Sequence, residues 1–203
     1  MYSQNNEEEI ILNYLGTASP SSSSPRRFLD IGAYDGRTFS NTLKLVELGW
    51  HGVCVEPSPG PFVRLIAEHK DRPHVQLVHA AITAEEPARL VTFHDSGGDA
   101  VSTLEPAHVQ RWSKSGVAFK PFWTLTLPLA SLFAQFGTDY EFLNLDVESV
   151  NIDIFRKLPF AAMPGLRLIC VEHDQHVGEI RTLGGQFGFH EIGFNAENII
   201  LAK

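Results

Sequence analysis

Cysteine and long apolar runs are scarce in this chain of 203 residues, and their scarcity limits where the protein can work. Only two cysteines occur, Cys54 and Cys170, and both lie in apolar, strand-like stretches. The sequence therefore predicts two buried thiols in a reducing compartment. No run of 18 apolar residues and no charged-then-apolar leader is present, so we expect neither a membrane span nor a signal peptide, and a cytoplasmic location.

Positive charge is also sparse. Lysine and arginine number 16 against 24 aspartates and glutamates, which gives a formal net charge of −8 and an isoelectric point of about 5.5. No basic stripe appears along the chain, which argues against non-specific binding to nucleic acid or to an anionic membrane. We therefore expect a small-molecule partner, with no nucleic acid and no membrane. The sequence leaves the oligomeric state open.

Apolar residues, by contrast, make up 43% of the chain, in short strand-like segments that alternate with helix-compatible ones. This alternation implies βαβ units and a mostly parallel sheet, and the length predicts one α/β domain over residues 26–203. The predicted strands cover residues 28–31, 53–55, 75–79, 90–94, 122–127, 140–146 and 166–172, the predicted helices cover 38–48, 61–70, 128–136 and 152–158, and a hairpin covers 187–202.

Two segments fall outside this alternation. Residues 1–25 predict a short helix over 7–16 followed by a Ser/Pro-rich linker over 17–25, which we expect to be mobile. Residues 96–116 are polar with little periodicity, and they include Gly97 and Gly98. A loop of this length in a compact domain is usually a lid or a binding loop, so residues 96–120 predict a mobile cover that brings Trp112 and Phe119 to a substrate.

The main functional signal lies where the first predicted strand ends. Its apolar run reaches Asp30, Gly32 follows two residues later, and Gly36 comes four after that. Such a turn is typical of a chain that leaves the first strand of a doubly wound sheet beneath a nucleotide-like ligand. Asp30 and Asp35 would repel phosphate but suit a cationic ligand with hydroxyls and an amine. S-adenosylmethionine is such a ligand.

A second acid supports this interpretation. The strand around residues 53–55 ends at Glu56, which falls 20 positions after Gly36 and precedes Pro57. An acid at this distance from the glycine turn can accept hydrogen bonds from both hydroxyls of an adenosine ribose.

Acids also end the fourth and fifth strands of the predicted parallel sheet, where open α/β sheets place their active sites. Strand alternation puts Asp146 and Glu148 on one side, where they could face the transferred group or position its acceptor. Capping of the next helix by Asp146, Ser149 or Asn151 is the alternative.

The run from Glu172 to His176 supplies further oxygen and nitrogen donors. With Asp146 and Glu148 these donors would suffice for a metal, but no helical histidine pair or cysteine accompanies them, so we assign no metal ligand. His173 is the stronger candidate as a general base for an acceptor hydroxyl, the alternative being an exposed loop histidine.

Taken together, residues 28–36, 55–57, 79–82, 143–148 and 169–172 resemble the FkbM-type S-adenosylmethionine-dependent methyltransferases. The resemblance covers most of residues 27–202, in the right order. It implies a class I methyltransferase fold, which is a Rossmann-like three-layer α/β sandwich with a mostly parallel sheet and a C-terminal antiparallel hairpin. It also implies O-methylation of a small hydroxylated natural product or sugar.

The resemblance carries roles onto individual residues. Glu56 would hold the ribose, Ala81 and Ile82 would lie near the adenine, and Asp146 and Glu148 would stand at the reaction centre with His173. The whole set expected to bind the cofactor is Asp30, Gly32, Ala33, Tyr34, Asp35, Gly36, Thr38, Glu56, Pro57, Ala81, Ile82 and Asp146.

The chain departs from the family pattern at three positions near the fourth strand. The family usually has Lys where Asn144 stands and Gly where Ser149 stands, and it commonly has an acid at Asn151. These departures leave the expected cofactor site intact and alter the acceptor site. They keep open a catalytically silent cofactor-binding module as an alternative. A nucleotide-dependent oxidoreductase is a further alternative, opposed by the lack of a third close glycine after Gly32 and of a Tyr-x-x-x-Lys pair.

Overall fold

The computed structural model describes residues 1–17, 26–97 and 100–203. The expected linker over 17–25 lies outside the described residues except for Thr17, which ends the first helix, and Gly98 lies outside them as well. The strands in this part of the chain are β1 (Arg27–Ile31), β2 (His51–Val55), β3 (Val75–Val78), β4 (Ala81–Thr83), β5 (Leu90–Asp95), β6 (Lys120–Pro128), β7 (Phe142–Leu145), β8 (Leu168–Glu172), β9 (His190–Phe194) and β10 (Asn198–Ala202).

The helices connect these strands. They are α1 (Glu7–Thr17), α2 (Leu43–Glu47), α3 (Pro59–His69), α4 (Pro106–Ser113), α5 (Leu129–Phe136), α6 (Asn151–Arg156) and α7 (Val177–Gln186), with a short 3₁₀ turn at Phe160–Ala162. None of the helices in the described ranges combines the length and the apolar character that crossing a membrane requires.

A seven-stranded sheet in the order β3-β2-β1-β7-β8-β10-β9 forms the centre of the molecule. Its first five strands pair in parallel, while β10 pairs antiparallel with both β8 and β9. This arrangement confirms the predicted α/β class, with its mostly parallel sheet and C-terminal antiparallel hairpin. A second, smaller sheet has the order β4-β6-β5.

The main sheet is covered on both faces, which explains why its strands are apolar runs. Along β1, Phe28 packs into one core with Leu45 and Trp50, while Leu29 and Ile31 pack into the other, on the side of α5, α6 and α7. Parallel strands buried on both faces lack the alternation of polar and apolar residues that a half-exposed strand shows. Cys54 and Cys170 are both free and buried, which confirms the prediction for the two thiols.

Several predicted boundaries were wrong. Only Leu43–Glu47 of the helix expected over 38–48 is helical, because Phe39 has a φ of +60° and Ser40 Oγ accepts the backbone N–H of Leu43 at 3.0 Å. The segment 96–116, expected to be an irregular loop, contains α4, which begins at Pro106 in the first helical turn, where proline is well tolerated. The helix α7 and the short strand β4 were not predicted.

Candidate functional site

A cavity of about 480 Å³ opens at the carboxyl ends of β1, β2, β7 and β8. The topology places it there because parallel strands end at the same edge of a sheet. Eleven of the residues predicted for the site lie in its wall: Asp30, Gly32, Ala33, Tyr34, Thr38, Glu56, Pro57, Ala81, Ile82, Asp146 and Glu148. Asp35, Gly36 and His173 are not among the lining residues.

Gly32 shapes the floor of the cavity where β1 ends. Its φ is +94°, and a Cβ at this position would overlap the backbone carbonyl of Asp146. The backbone amides of Gly32 and Ala33 both donate to Val55 O at 2.9 Å, which ties the turn to β2. Gly32 is therefore required both by its positive φ and by the close approach of two strand ends.

Asp35 and Gly36 stabilise the turn that follows β1 through contacts within the turn and with α3. The Asp35 carboxylate accepts the backbone N–H groups of Arg37 and Thr38 at 2.9 and 2.7 Å and the Thr38 hydroxyl at 2.9 Å. Gly36 has a φ of +75°, and a Cβ there would meet Leu65 Cδ1 at 2.6 Å. Both residues hold the turn and its packing on α3, so neither is placed to touch a ligand in the cavity.

Glu56 lies in the wall at the end of β2 and is almost wholly buried. Its two carboxylate oxygens accept the backbone N–H groups of Tyr34 at 2.9 Å and Ser58 at 2.7 Å. Burial raises the pKa of Glu56 to about 7. The two N–H donors favour the charged form and lower the pKa, but by less than burial raises it. The Ser58 side chain also donates to this carboxylate, so three of its about four acceptor sites are occupied and one remains for a ribose hydroxyl.

Asp30 belongs to a buried polar network beneath the cavity. Its carboxylate accepts the Thr42 hydroxyl at 2.5 Å and Asn144 Nδ2 at 2.9 Å, and Asn144 Oδ1 accepts Asn41 Nδ2 at 3.0 Å. Burial raises the pKa of Asp30, while the two hydrogen bonds lower it. Asn144 supplies a neutral amide, so the network of Asp30, Asn41, Thr42 and Asn144 contains no cation to balance a charged Asp30.

Three carboxylates meet at the opposite end of the cavity. One oxygen from each of Asp146, Glu148 and Glu172 can be chosen so that the three atoms lie within 4.8 Å of one another. Burial raises the pKa of Asp146, and repulsion from Glu148 raises it further. Burial likewise raises the pKa of Glu172, with repulsion from Asp146 as the next cause. Burial also raises the pKa of Glu148 to about 9, followed by repulsion from Glu172 and Asp174.

His108, on α4, faces this cluster and was missed by the sequence analysis. Its Nδ1 lies 2.6 Å from Ser149 Oγ and 3.4 Å from Arg111 Nη2, and its Nε2 lies 3.4 Å from Glu148 Oε2. Burial and then the Arg111 charge lower the pKa of His108, against smaller opposing contributions from Asp174 and the Val101 backbone. A lone histidine in a polar segment gives no sequence signal for this placement.

Asn151 organises the same corner, and the alternative that Asp146, Ser149 or Asn151 caps α6 is wrong, because Val150 is the N-cap residue. Its Nδ2 donates to Glu172 Oε2 at 2.8 Å and to Asp174 Oδ2 at 2.9 Å, while its Oδ1 accepts the backbone N–H of Val147 at 2.9 Å. The side chain is fully buried. It therefore fixes the orientation of the Glu172 carboxylate from the side away from the cavity.

His173 does not reach the cavity. Its Nδ1 accepts the backbone N–H of Gln175 at 3.1 Å, its Nε2 lies 3.3 Å from Asn195 O, and its ring stacks on Phe194 with 5.3 Å between centroids. In the tautomer that satisfies both contacts, Nε2 donates its proton and Nδ1 has no free lone pair. The geometry thus ties His173 to the turn after β8 and to the hairpin, and it does not support the predicted role as a base.

Aromatic side chains complete the wall, and the sequence analysis identified only one of them. Phe39, Phe93 and Trp112 all line the cavity, and Arg111 adds a cation beside Trp112. The indole Nε1 of Trp112 is buried without a hydrogen-bond partner. Such a donor at the cavity wall is available to a ligand oxygen.

Comparison with known proteins identifies the family. Residues 30–191 match the model of the methyltransferase FkbM domain. No curated protein matches the sequence. Among solved structures, monomeric WbdD superimposes with a TM-score of 0.51 at 14% identity, over 98% of this chain and 41% of that one. A hypothetical protein of Thermus thermophilus superimposes with a TM-score of 0.50 at 14% identity, over 99% of this chain and 86% of that one.

At such identities the solved structures establish a shared fold and nothing more, and the present chain spans less than half the length of WbdD. The family match is of a different kind, because it runs from Asp30 at the end of β1 to Glu191 in β9 and so includes most of the main sheet and the walls of the cavity. The chain therefore belongs to the FkbM family of S-adenosylmethionine-dependent methyltransferases.

Proposed function

We propose that this protein transfers a methyl group from S-adenosylmethionine to a hydroxyl of a small acceptor, such as a natural product or a sugar. The observation that carries the proposal is one cavity with two chemically different ends. Glu56 and Asp30 lie at one end, and the carboxylates Asp146 and Glu148 lie at the other with Trp112 and Arg111.

The first end fits the cofactor. Glu56 has free acceptor capacity for a ribose hydroxyl, and the carboxylate of Asp30 suits a cationic group above the turn at Gly32. Ala81 and Ile82 offer an apolar wall to the adenine. When bound, S-adenosylmethionine supplies an electrophilic methyl group on a sulfonium.

The second end fits the acceptor. Asp146 and Glu148 are placed to form a hydrogen bond with its hydroxyl, which orients the oxygen. Whichever of the two is ionised can receive the hydroxyl proton. Phe39, Phe93 and Trp112 exclude water and offer flat apolar surfaces, and the unpartnered Trp112 Nε1 can donate to a second oxygen. Orientation and exclusion of water are what a methyl transfer chiefly requires of a protein.

Two buried free thiols fit a reducing compartment, so we propose a cytoplasmic location as well.

The test is transfer of an isotope-labelled methyl group to a panel of hydroxylated small molecules, read by mass spectrometry. We expect turnover on at least one class of acceptor, and a loss of about 10²-fold or more in Glu148→Gln with unchanged affinity for S-adenosylhomocysteine. Asp153→Asn, on the exposed side of α6, is the matched control and should keep full turnover. Binding of S-adenosylhomocysteine with no turnover across the panel would instead favour a catalytically silent module.

A further inference from the structure

We propose that Asp146, Glu148 and Glu172, together with His108, form a binding site for one divalent metal ion of the Mn²⁺ type. The site lies at the acceptor end of the cavity. It does not depend on the methyl donor, and methyl transfer plays no part in its test.

The spacing of the three carboxylates suits a single ion. The chosen oxygens lie within 4.8 Å of one another. Metal–oxygen bonds of about 2.0–2.2 Å place ligands on opposite sides of an ion about 4 Å apart. Small rotations of the side chains would therefore bring all three oxygens into one coordination sphere.

Arg111 is a cation that acts on this cluster, where its charge lowers the pKa of Glu148, but one cation does not balance three carboxylates. Among the described residues, no lysine or arginine forms an ion pair with Asp146, Glu148 or Glu172, and the one charged contact is between Glu148 and His108. Carboxylates gathered in a partly buried site repel one another unless they are protonated or bind a cation.

His108 provides an independent observation that points into the cluster. Its side chain is only 1% exposed, its Nε2 makes no hydrogen bond with any described residue, and the nearest carboxylate oxygen, Glu148 Oε2, is 3.4 Å away. A buried ring nitrogen without a partner, next to three carboxylates, is placed as a fourth ligand.

The surroundings orient these ligands. A metal on His108 Nε2 requires the tautomer with the proton on Nδ1, and Ser149 Oγ lies 2.6 Å away to accept that proton. In this tautomer Nδ1 accepts no hydrogen bond from Arg111 Nη2, which lies 3.4 Å away. Asn151 Nδ2 donates to Glu172 at 2.8 Å. Hydrogen bonds of this kind behind metal ligands fix their direction and commonly change affinity by about 10- to 100-fold.

The donor set also indicates which ion. Three carboxylates alone would suit Mg²⁺, whereas an added imidazole favours Mn²⁺ and other transition ions. Ser149 and Asn151 support these ligands through their contacts with His108 and Glu172.

The experiment titrates MnCl₂ into the metal-free full-length chain, with free Mn²⁺ followed by electron paramagnetic resonance and heat by calorimetry. We expect one Mn²⁺ per chain, and at least about tenfold weaker binding in Glu148→Gln and in Glu172→Gln. His108→Gln should reduce the preference for Mn²⁺ over Mg²⁺. Asp71→Asn, which removes an exposed carboxylate from the surface, is the control and should bind as the wild type does.

Thermal unfolding gives a second readout that a purely structural acid cluster would not produce. Mn²⁺ should raise the melting temperature of the wild type and leave that of Glu172→Gln nearly unchanged. No stoichiometric Mn²⁺ binding to the wild type, or equal binding in both carboxylate variants, would overturn the proposal. Neither result bears on S-adenosylhomocysteine binding, which is measured separately.

Discussion

At the scale of single residues, the burial of Glu56 should make the affinity for the cofactor depend on pH. In the ligand-free protein burial raises the pKa of Glu56 to about 7, whereas a ribose hydroxyl would stabilise the ionised form. The affinity for S-adenosylhomocysteine should therefore rise about tenfold between about pH 6 and pH 8, as the ionised fraction rises. Calorimetry across this range checks the expectation. In Glu56→Gln the affinity should be about 10- to 100-fold lower at about pH 8 and nearly independent of pH.

Ser149 adopts a backbone conformation that favours glycine, with a φ of +80°. Its hydroxyl contacts His108 Nδ1, so Ser149→Ala loses this contact and keeps the strain, whereas Ser149→Gly loses the contact and relieves the strain. We expect the glycine variant to be more stable than the alanine variant by about 1 kcal/mol. Denaturant unfolding measures the difference, and an alanine variant at least as stable would contradict the account of this turn.

His173 shows how a residue with suitable chemistry can be used for structure. Both ring nitrogens face backbone groups of the turn after β8 and of the hairpin. His173→Ala should lower the free energy of unfolding by about 1–2 kcal/mol and change turnover less than about tenfold. Turnover that falls about 10²-fold or more in a variant of unchanged stability would restore the role of catalytic base.

At the scale of elements, the segment between β5 and β6 is the candidate cover of the cavity. It contains α4 and contributes Trp112 to the wall, while Thr103 anchors it through backbone bonds with His94 and a 3.1 Å hydrogen bond to Glu148 O. Amide exchange in residues 100–117 should be fast in the free protein and slower with S-adenosylhomocysteine and an acceptor bound. Strong and equal protection in both states would argue against a lid.

The strands were more predictable from the sequence than the segments between them. Strands buried on both faces are continuous apolar runs, and their order follows from the rules of βαβ units. The early part of α2 was mispredicted because residues 38–42 have helix-compatible composition but are held in turns by backbone N–H groups that donate to the side chains of Ser40 and Asp35. The start of α4 at Pro106 was missed because a polar surface helix has little apolar periodicity.

The placement of Asp30, Gly32 and Glu56 in the cavity wall was predictable for the same reason, since Asp30 lies near the end of β1 and Gly32 and Glu56 directly follow β1 and β2. The arrangement of residues at the other end of the cavity was not predictable in this way. His108 contacts Glu148 from α4, a segment far along the chain from β7, and no local pattern records that contact. His173 follows β8 as the pattern required, but its ring turns toward the hairpin.

At the scale of the whole molecule, the sheet brings four strand ends and the segment around α4 to one cavity. We propose that the end of this cavity formed by Asp30 and Glu56 holds S-adenosylmethionine, with Glu56 binding the ribose. The most direct test is calorimetry of the wild-type chain with S-adenosylhomocysteine and, in parallel, with NAD⁺. We predict one S-adenosylhomocysteine per chain, no heat with NAD⁺, and binding weakened at least about tenfold in a folded Glu56→Gln variant. Binding of NAD⁺ in preference, or unchanged affinity in that variant, would contradict the account.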